Sequence, residues 1–288
     1  HLKNENNMSF ERKLEKSVID EFITSNLWIN CLEDDCKKQN LFLAIRNNSI
    51  GIYHKGGRLF GFEKNVFKTH LKYASVIDNS DKDYLTEIEL SKKNLISDFT
   101  KNYTRIKENC NLYSGIEAVG VSEIYHKHSY LSDNRIVVLD IEISFESFEK
   151  SSGKAQDRID ILLYDLDNKT LKFVEAKHYS NKEIWSKTCP KVIEQIKKYE
   201  TQIERNKKEI IIAYKNYINV INEIFELKLP IPEKVEDKVS LLIFGFDDDQ
   251  KKGRLQKLIL NNSAFKGFHL YCKQDKINPT TLFKSKSL

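Results

Sequence analysis

Two runs of this sequence carry ionisable side chains where apolar ones would be expected. In DRIDILLYD, residues 157–165, a carboxylate at Asp160 interrupts a series of Ile and Leu. Ile159, Ile161 and Leu163 share one face of such a strand, and Asp160 takes the other. In LKFVEAK, residues 171–177, alternation puts Leu171, Phe173, Glu175 and Lys177 on one face and Lys172, Val174 and Ala176 on the other. A carboxylate in an apolar run is costly to bury unless it is paired or binds a cation. If the two runs pair as a hairpin across an Asp167-Asn168 turn, Asp160 and Glu175 can approach each other. Two carboxylates brought together repel unless one takes a proton or a cation bridges them. Hard oxygen ligands suit Mg²⁺ or Mn²⁺. Such an ion would polarise a phosphate oxygen and lower the pKa of a bound water. Lys177 would then orient that water or offset charge developing on phosphorus. Whether it also acts as a base depends on how far its surroundings lower its pKa.

The elements that must position these groups follow from pattern. VSEIYHKHSYL reads as a helix, RIVVLDIEISF, DRIDILLYD and LKFVEAKHY as three strands, Ile184–Phe225 as helix in two pieces, KVSLLIFGFD as a buried strand, GRLQKLIL as a helix and GFHLYCK as a final strand. That order predicts an α/β sandwich with a mixed sheet. Asp160, followed on the next strand by Glu175-Ala176-Lys177, resembles the signature of the PD-(D/E)XK nuclease superfamily, also called restriction-endonuclease-like. The family's core order of helix, three strands, helix and strand is similar to the pattern from about residue 112 to 247. The resemblance implies that Asp160 and Glu175 are metal ligands and Lys177 the catalytic lysine. Ile159 stands where the family usually has proline. The family's first helix often supplies a further acid, which here would be Glu123, or Glu117 if the helix starts earlier; a surface glutamate is the plain alternative for each.

Gln195 and Tyr199 lie four apart, on one helical face. They resemble the Q-x-x-x-Y motif of the RecB-like and Cas4-like branch, where it helps position the nucleic acid strand or the catalytic lysine. The resemblance as a whole implies a Mg²⁺-dependent deoxyribonuclease (Mn²⁺ as a substitute), an endonuclease before an exonuclease, acting on DNA before RNA in restriction, phage defence or repair. A module of another class, which keeps the fold but only binds nucleic acid or an assembly partner, is the alternative. A homodimer, or a partner protein of a defence system, is compatible with either.

Between Lys182 and Lys215 nine Lys/Arg face five Asp/Glu, which concentrates much of the chain's formal excess of +5. Lys191, Lys197, Lys198, Arg205, Lys207 and Lys208 could contact phosphates without reading sequence. A solvated helix face explains the same charges. His126 and His128 stand two apart on a helix and point different ways. His178 points to the strand face opposite Lys177 and reads as structural, and Asp140 and Glu142 read as the wet face of an edge strand. Asp247-Asp248-Asp249 reads as a solvated loop.

The N-terminal part reads differently. Residues 9–30 predict a helix, residues 41–77 an antiparallel meander of three or four strands with a Gly56-Gly57 turn, and residues 82–112 further helix. The expected division is an α+β accessory domain over 9–110 and a nuclease domain over 111–288. No Walker A, Rossmann or serine-elbow motif occurs. The five cysteines are unevenly spaced, which fits free thiols in a reducing cytoplasm better than zinc. With no run of about 18 apolar residues and no apolar core near the start, the expectation is a cytoplasmic protein outside the membrane.

Overall fold

The computed structural model describes residues 10–74, 84–92, 96, 98–145 and 158–287. Two compact units emerge, each from separated stretches of chain: Arg12–Asn134 with Asn216–Leu229, and His1–Glu11 with Arg135–Lys215 and Pro230–Leu288.

The first unit carries a five-stranded antiparallel sheet of β1 (Phe42–Arg46), β2 (Ser49–His54), β3 (Gly57–Glu63), β4 (Val66–His70) and β5 (Tyr84–Thr86), in that spatial order. One face is apolar, with Ile50, Ile52, Phe60, Phe62 and Leu85 buried. Lys55 and Gly56 both take positive φ, 45° and 89°, and close the β2–β3 hairpin with the twist that two-residue turns favour. Helices α1 (Lys16–Ile23) and α2 (Glu33–Lys37) precede the sheet, with π turns over Trp28–Leu32 between them. The helix expected from residue 9 starts only at Lys16, because Phe10 is drawn into the other unit, 5.5 Å from the ring of Phe145. Helix was also expected over 82–112, yet Tyr84–Thr86 adds a strand to β4: aromatic and β-branched residues on an open edge favour pairing. Thr86 then forms a capping box with Glu89 and opens α3 (Glu87–Ser91). Further on, residues 99–102 form a turn and α4 (Tyr103–Leu112) ends the stretch; residues 82, 83, 93–95 and 97 lie outside the described residues. The expected boundary at 110/111 therefore falls inside α4, and the next helix, α5 (Ile116–Lys127), belongs to this unit.

The second unit is built on β6 (Ile136–Ser144), β7 (Arg158–Asp165), β8 (Thr170–His178), β9 (Lys234–Val235), β10 (Ser240–Phe244) and β11 (His269–Cys272). The strands run in the order β11-β10-β8-β7-β6, with β9 pairing β8. The β6–β7–β8 stretch is antiparallel and β8–β10–β11 parallel, so the sheet is mixed, as expected. Between β8 and β9 come α6 (Lys191–Arg205) and α7 (Lys207–Phe225); the second half of α7 is counted with the other unit. Helices α6 and α7 cover the sheet face that carries Phe173: Phe145 lies 5.3 Å from Phe173 and 6.3 Å from Tyr199, and Tyr214 lies 6.4 Å from Phe173. On the opposite face Lys172 donates to the carbonyls of Phe283 and Ser285, at 2.7 and 3.3 Å, and so holds the C-terminal helix α9 (Pro279–Phe283) and its tail. The helix expected over GRLQKLIL is a short α8 (Asp248–Gln250) that runs on as π turns from Lys251 to Leu260. No helix among the described residues is long and apolar enough to cross a membrane.

Candidate active site

The β7–β8 ladder ends at Ile161↔Val174, so Asp160 and Glu175 stand opposite each other one residue further along. Both are on the face that carries Phe173, because residues paired across a ladder share a face. Asp160 Oδ2 accepts the backbone N–H of Ala176 at 2.7 Å, which ties its carboxylate to the neighbouring strand. Burial and the adjacent Glu175 carboxylate push the Asp160 pKa well above the usual carboxylate range, against the opposing pull of Lys177. Asp160 keeps partial exposure along its strand, whereas Glu175 is 1% exposed.

Lys177 follows on the same face of β8. Its ammonium lies 2.8 Å from Glu175 Oε1 and 3.0 Å from Glu183 Oε2. Burial lowers the Lys177 pKa, but the charges of Glu175 and Asp160 and the bonds to Glu175 and Glu183 outweigh it, and the net shift is upward. Lys177 is therefore an ammonium, a donor rather than a base. Its partner Glu183 sits in a 3₁₀ turn over Lys182–Ile184, positioned by Asn181, whose side chain accepts the Glu183 N–H at 2.9 Å. Burial raises the Glu183 pKa, but hydrogen bonds from Lys191 and Lys177 bring it below its ordinary value.

A third acid faces the pair from β6. Glu142 lies between the partners Ile141↔Ile161 and Ile143↔Ile159, which sets it opposite Asp160. Its φ is +50°, downstream of a bulge between Val138 and Asp140, and it reaches Arg158 at 3.7 Å. Glu142, Asp160 and Glu175 thus form a row across three neighbouring strands. Among the described residues no three His, Cys, Asp or Glu side chains converge as a finished metal cage. Two opposed carboxylates on one sheet face still suit Mg²⁺, which keeps several waters and binds through one or two carboxylates plus substrate phosphate.

Gln195 and Tyr199 meet on α6, as their spacing predicts: Gln195 Nε2 donates to the Tyr199 hydroxyl at 3.1 Å. Tyr199 is buried near Phe145, on the side of the sheet that bears Glu175. Lys191, Lys197, Lys198 and Arg205 are all solvent-exposed on α6. Lys191 is committed to Glu183 at 2.6 Å, and Lys197 lies over the Phe268 ring.

Other expectations resolve plainly. Glu117 and Glu123 are on α5, in the five-stranded unit, with Glu123 exposed. Asp140 was expected on a wet face but is fully buried, because α7 covers that face and Tyr214 donates to it at 2.9 Å. His178 points away from Lys177, bonded to Ser180 at 2.8 Å and edge-on to Phe244. His126 and His128 have separate partners, Lys55 and Asn134. Asp247, expected in a loop, caps α8 through a capping box with Gln250. All five cysteines are free thiols. Sequence reasoning missed Glu183 and set Glu142 aside. Glu142 had one usable signal, a carboxylate inside the apolar run RIVVLDIEISF. Glu183 had none, since loop residues carry no periodicity.

The chain matches no family model, no curated protein and no solved structure.

Proposed function

We propose that the chain is a Mg²⁺-dependent nuclease that hydrolyses phosphodiester bonds, with DNA as its substrate. The observation that carries this reading is the opposed pair Asp160 and Glu175 on one sheet face, with the Lys177 ammonium at 2.8 Å from Glu175. The donor set fits the ion: burial, and next the Glu175 carboxylate, raise the Asp160 pKa, and a divalent cation offsets both by supplying opposite charge. Asp160 and Glu175 would hold Mg²⁺, with Glu142 opposite Asp160 on the next strand as a further acid. When bound, the ion supplies Lewis-acid polarisation of the phosphate and a water of lowered pKa.

The chain's own groups do the rest. Lys177 remains protonated and offers its Nζ hydrogens to oxygens that gain charge as the bond to phosphorus is made and broken. Glu183 holds that ammonium at 3.0 Å from outside the sheet and so orients it. The exposed cations of α6 neutralise backbone phosphates without selecting bases. Gln195 and Tyr199 brace the helix that presents them. The mixed sheet with its antiparallel β6–β7–β8 and parallel β8–β10 is compatible with a restriction-endonuclease-like core.

A second reading is favoured by the same ion pairs. Lys177 clamped between Glu175 and Glu183 is also what a fold would show after losing turnover and keeping a nucleic-acid-binding or assembly role. Plasmid, linear DNA and RNA, each incubated with Mg²⁺, Mn²⁺ or EDTA, separate the two. Metal-dependent cutting that is lost in Lys177→Ala supports the nuclease. Binding without cutting under every condition supports the idle module.

A further inference from the structure

The polar face of the five-stranded sheet is built around two glycines. Gly51, Gly61, Lys68 and Thr86 stand opposite one another across β2, β3, β4 and β5. Residues paired in this way share a face. Two long side chains lie down into the space that the glycines leave. A Cβ on Gly51 would stand 2.8 Å from the Tyr53 ring, and a Cβ on Gly61 would stand 2.6 Å from Nη2 of Arg58. A bulge in the β2–β3 ladder between Ile52 and Tyr53 turns Arg58 onto this face. Its guanidinium therefore rests on the backbone at Gly61, with the Tyr84 ring 5.5 Å away.

Arg58 is the unusual member. Among the described residues it makes no ion pair and no hydrogen bond, and its Nε is buried without a partner. Guanidinium groups held flat by packing normally meet a carboxylate or phosphate edge-on. Here the edge opens into a groove of about 430 Å³ lined by Arg58, Gly61, Glu63, Lys68, Tyr84, Thr86 and Glu89. Lys68 stands on the same rim, 3.2 Å from Glu63, while Glu89 accepts the Thr86 N–H and hydroxyl at 2.9 and 3.1 Å, so each acid has its own partner and Arg58 has none among them. The volume is that of a small-molecule site.

We infer that this groove binds a small phosphate monoester, with the phosphate on Arg58 and Lys68. A phosphate offers Arg58 the paired oxygens that a planar fork requires and can take Lys68 as a point charge. Glu63 can accept hydroxyl or amine hydrogens from the rest of the ligand. Nucleotides and sugar phosphates share this chemistry. The site lies wholly within the five-stranded unit and does not depend on the nuclease reading.

Calorimetric titration of the full chain with AMP, glucose 6-phosphate and inorganic phosphate tests it. At least one ester is expected to bind saturably at millimolar or lower concentration, and more tightly than inorganic phosphate. Which ester binds identifies the source. Arg58→Gln is expected to weaken binding by about tenfold or more. Gly61→Ala, which keeps the arginine but sets a methyl group under its guanidinium, should do the same. Lys68→Gln, at a position on the rim, gives a third variant whose folding does not depend on Arg58. Melting curves show which variants are folded. The inference is overturned if neither ester binds, if inorganic phosphate binds as tightly as both esters, or if the folded variants bind as wild type does.

Discussion

Glu183 reaches Lys177 from a turn outside the sheet, with Oε2 3.0 Å from the ammonium, while its other oxygen holds Lys191 at 2.6 Å. Lys177 is thus oriented by two acids, Glu175 beside it on the strand and Glu183 beyond the strand end. In the proposed reaction Glu183 touches neither metal nor substrate and acts by positioning the lysine.

Glu183→Gln should therefore lower kcat by about tenfold to a hundredfold, the range for groups that orient a reacting side chain. KM for DNA should change little. A variant whose kcat is unchanged, or whose loss lies wholly in KM, would show that the contact is only structural.

Asp160→Asn should abolish cutting and yet raise the melting temperature of the metal-free protein by a few degrees. The sign follows from the shift. Asp160 has a raised pKa in the folded state, so its protonated form stabilises the fold at low pH, and that stability is lost as pH rises through the folded value. Asparagine fixes the neutral form, and its carbonyl oxygen can still accept the Ala176 N–H. Millimolar Mg²⁺ should raise the melting temperature of the wild type and leave that of the variant unmoved. Differential scanning fluorimetry at neutral pH, with Mg²⁺ and with EDTA, reads both effects; a variant less stable than wild type contradicts the like-charge account.

The five-stranded unit should lose stability in acid through His126. Burial holds its pKa down to about 3, against an ordinary 6.5, and its Nε2 accepts the Lys55 N–H at 3.2 Å. The unfolded chain binds this proton first, so stability is full above the ordinary value and falls as pH drops toward the folded one. The slope from one such group is at most about 1.4 kcal/mol per pH unit. Urea titrations between neutral pH and pH about 4 should show it, and His126→Gln, which keeps an acceptor, should flatten it. Equal slopes in both proteins would assign the acid sensitivity elsewhere.

Lys172→Met should cost about 1–3 kcal/mol in urea unfolding, because it leaves the carbonyls of Phe283 and Ser285 without their buried donor. Truncation before Pro279 removes the same contacts and should cost at least as much. A loss of only a few tenths of a kcal/mol would mean that water replaces the ammonium there.

The sequence by itself determined what short periods determine. Alternation set Glu175 and Lys177 on one face of β8 and separated them from Lys172 and His178, because side chains along a strand repeat every second residue whatever lies around them. Helical spacing brought Gln195 to Tyr199 for the same local reason. Tertiary structure decided everything that depends on register or on charge acting through space. The pairing of β7 with β8 sets Asp160 opposite Glu175, and a slip of one residue would have sent the two carboxylates to opposite faces. The bulge in β6 brings Glu142 into the row, and the turn after β8 returns Glu183 to Lys177. The protonation of Lys177 was also out of reach of the sequence, since it is the sum of desolvation and three acids that only the folded chain assembles.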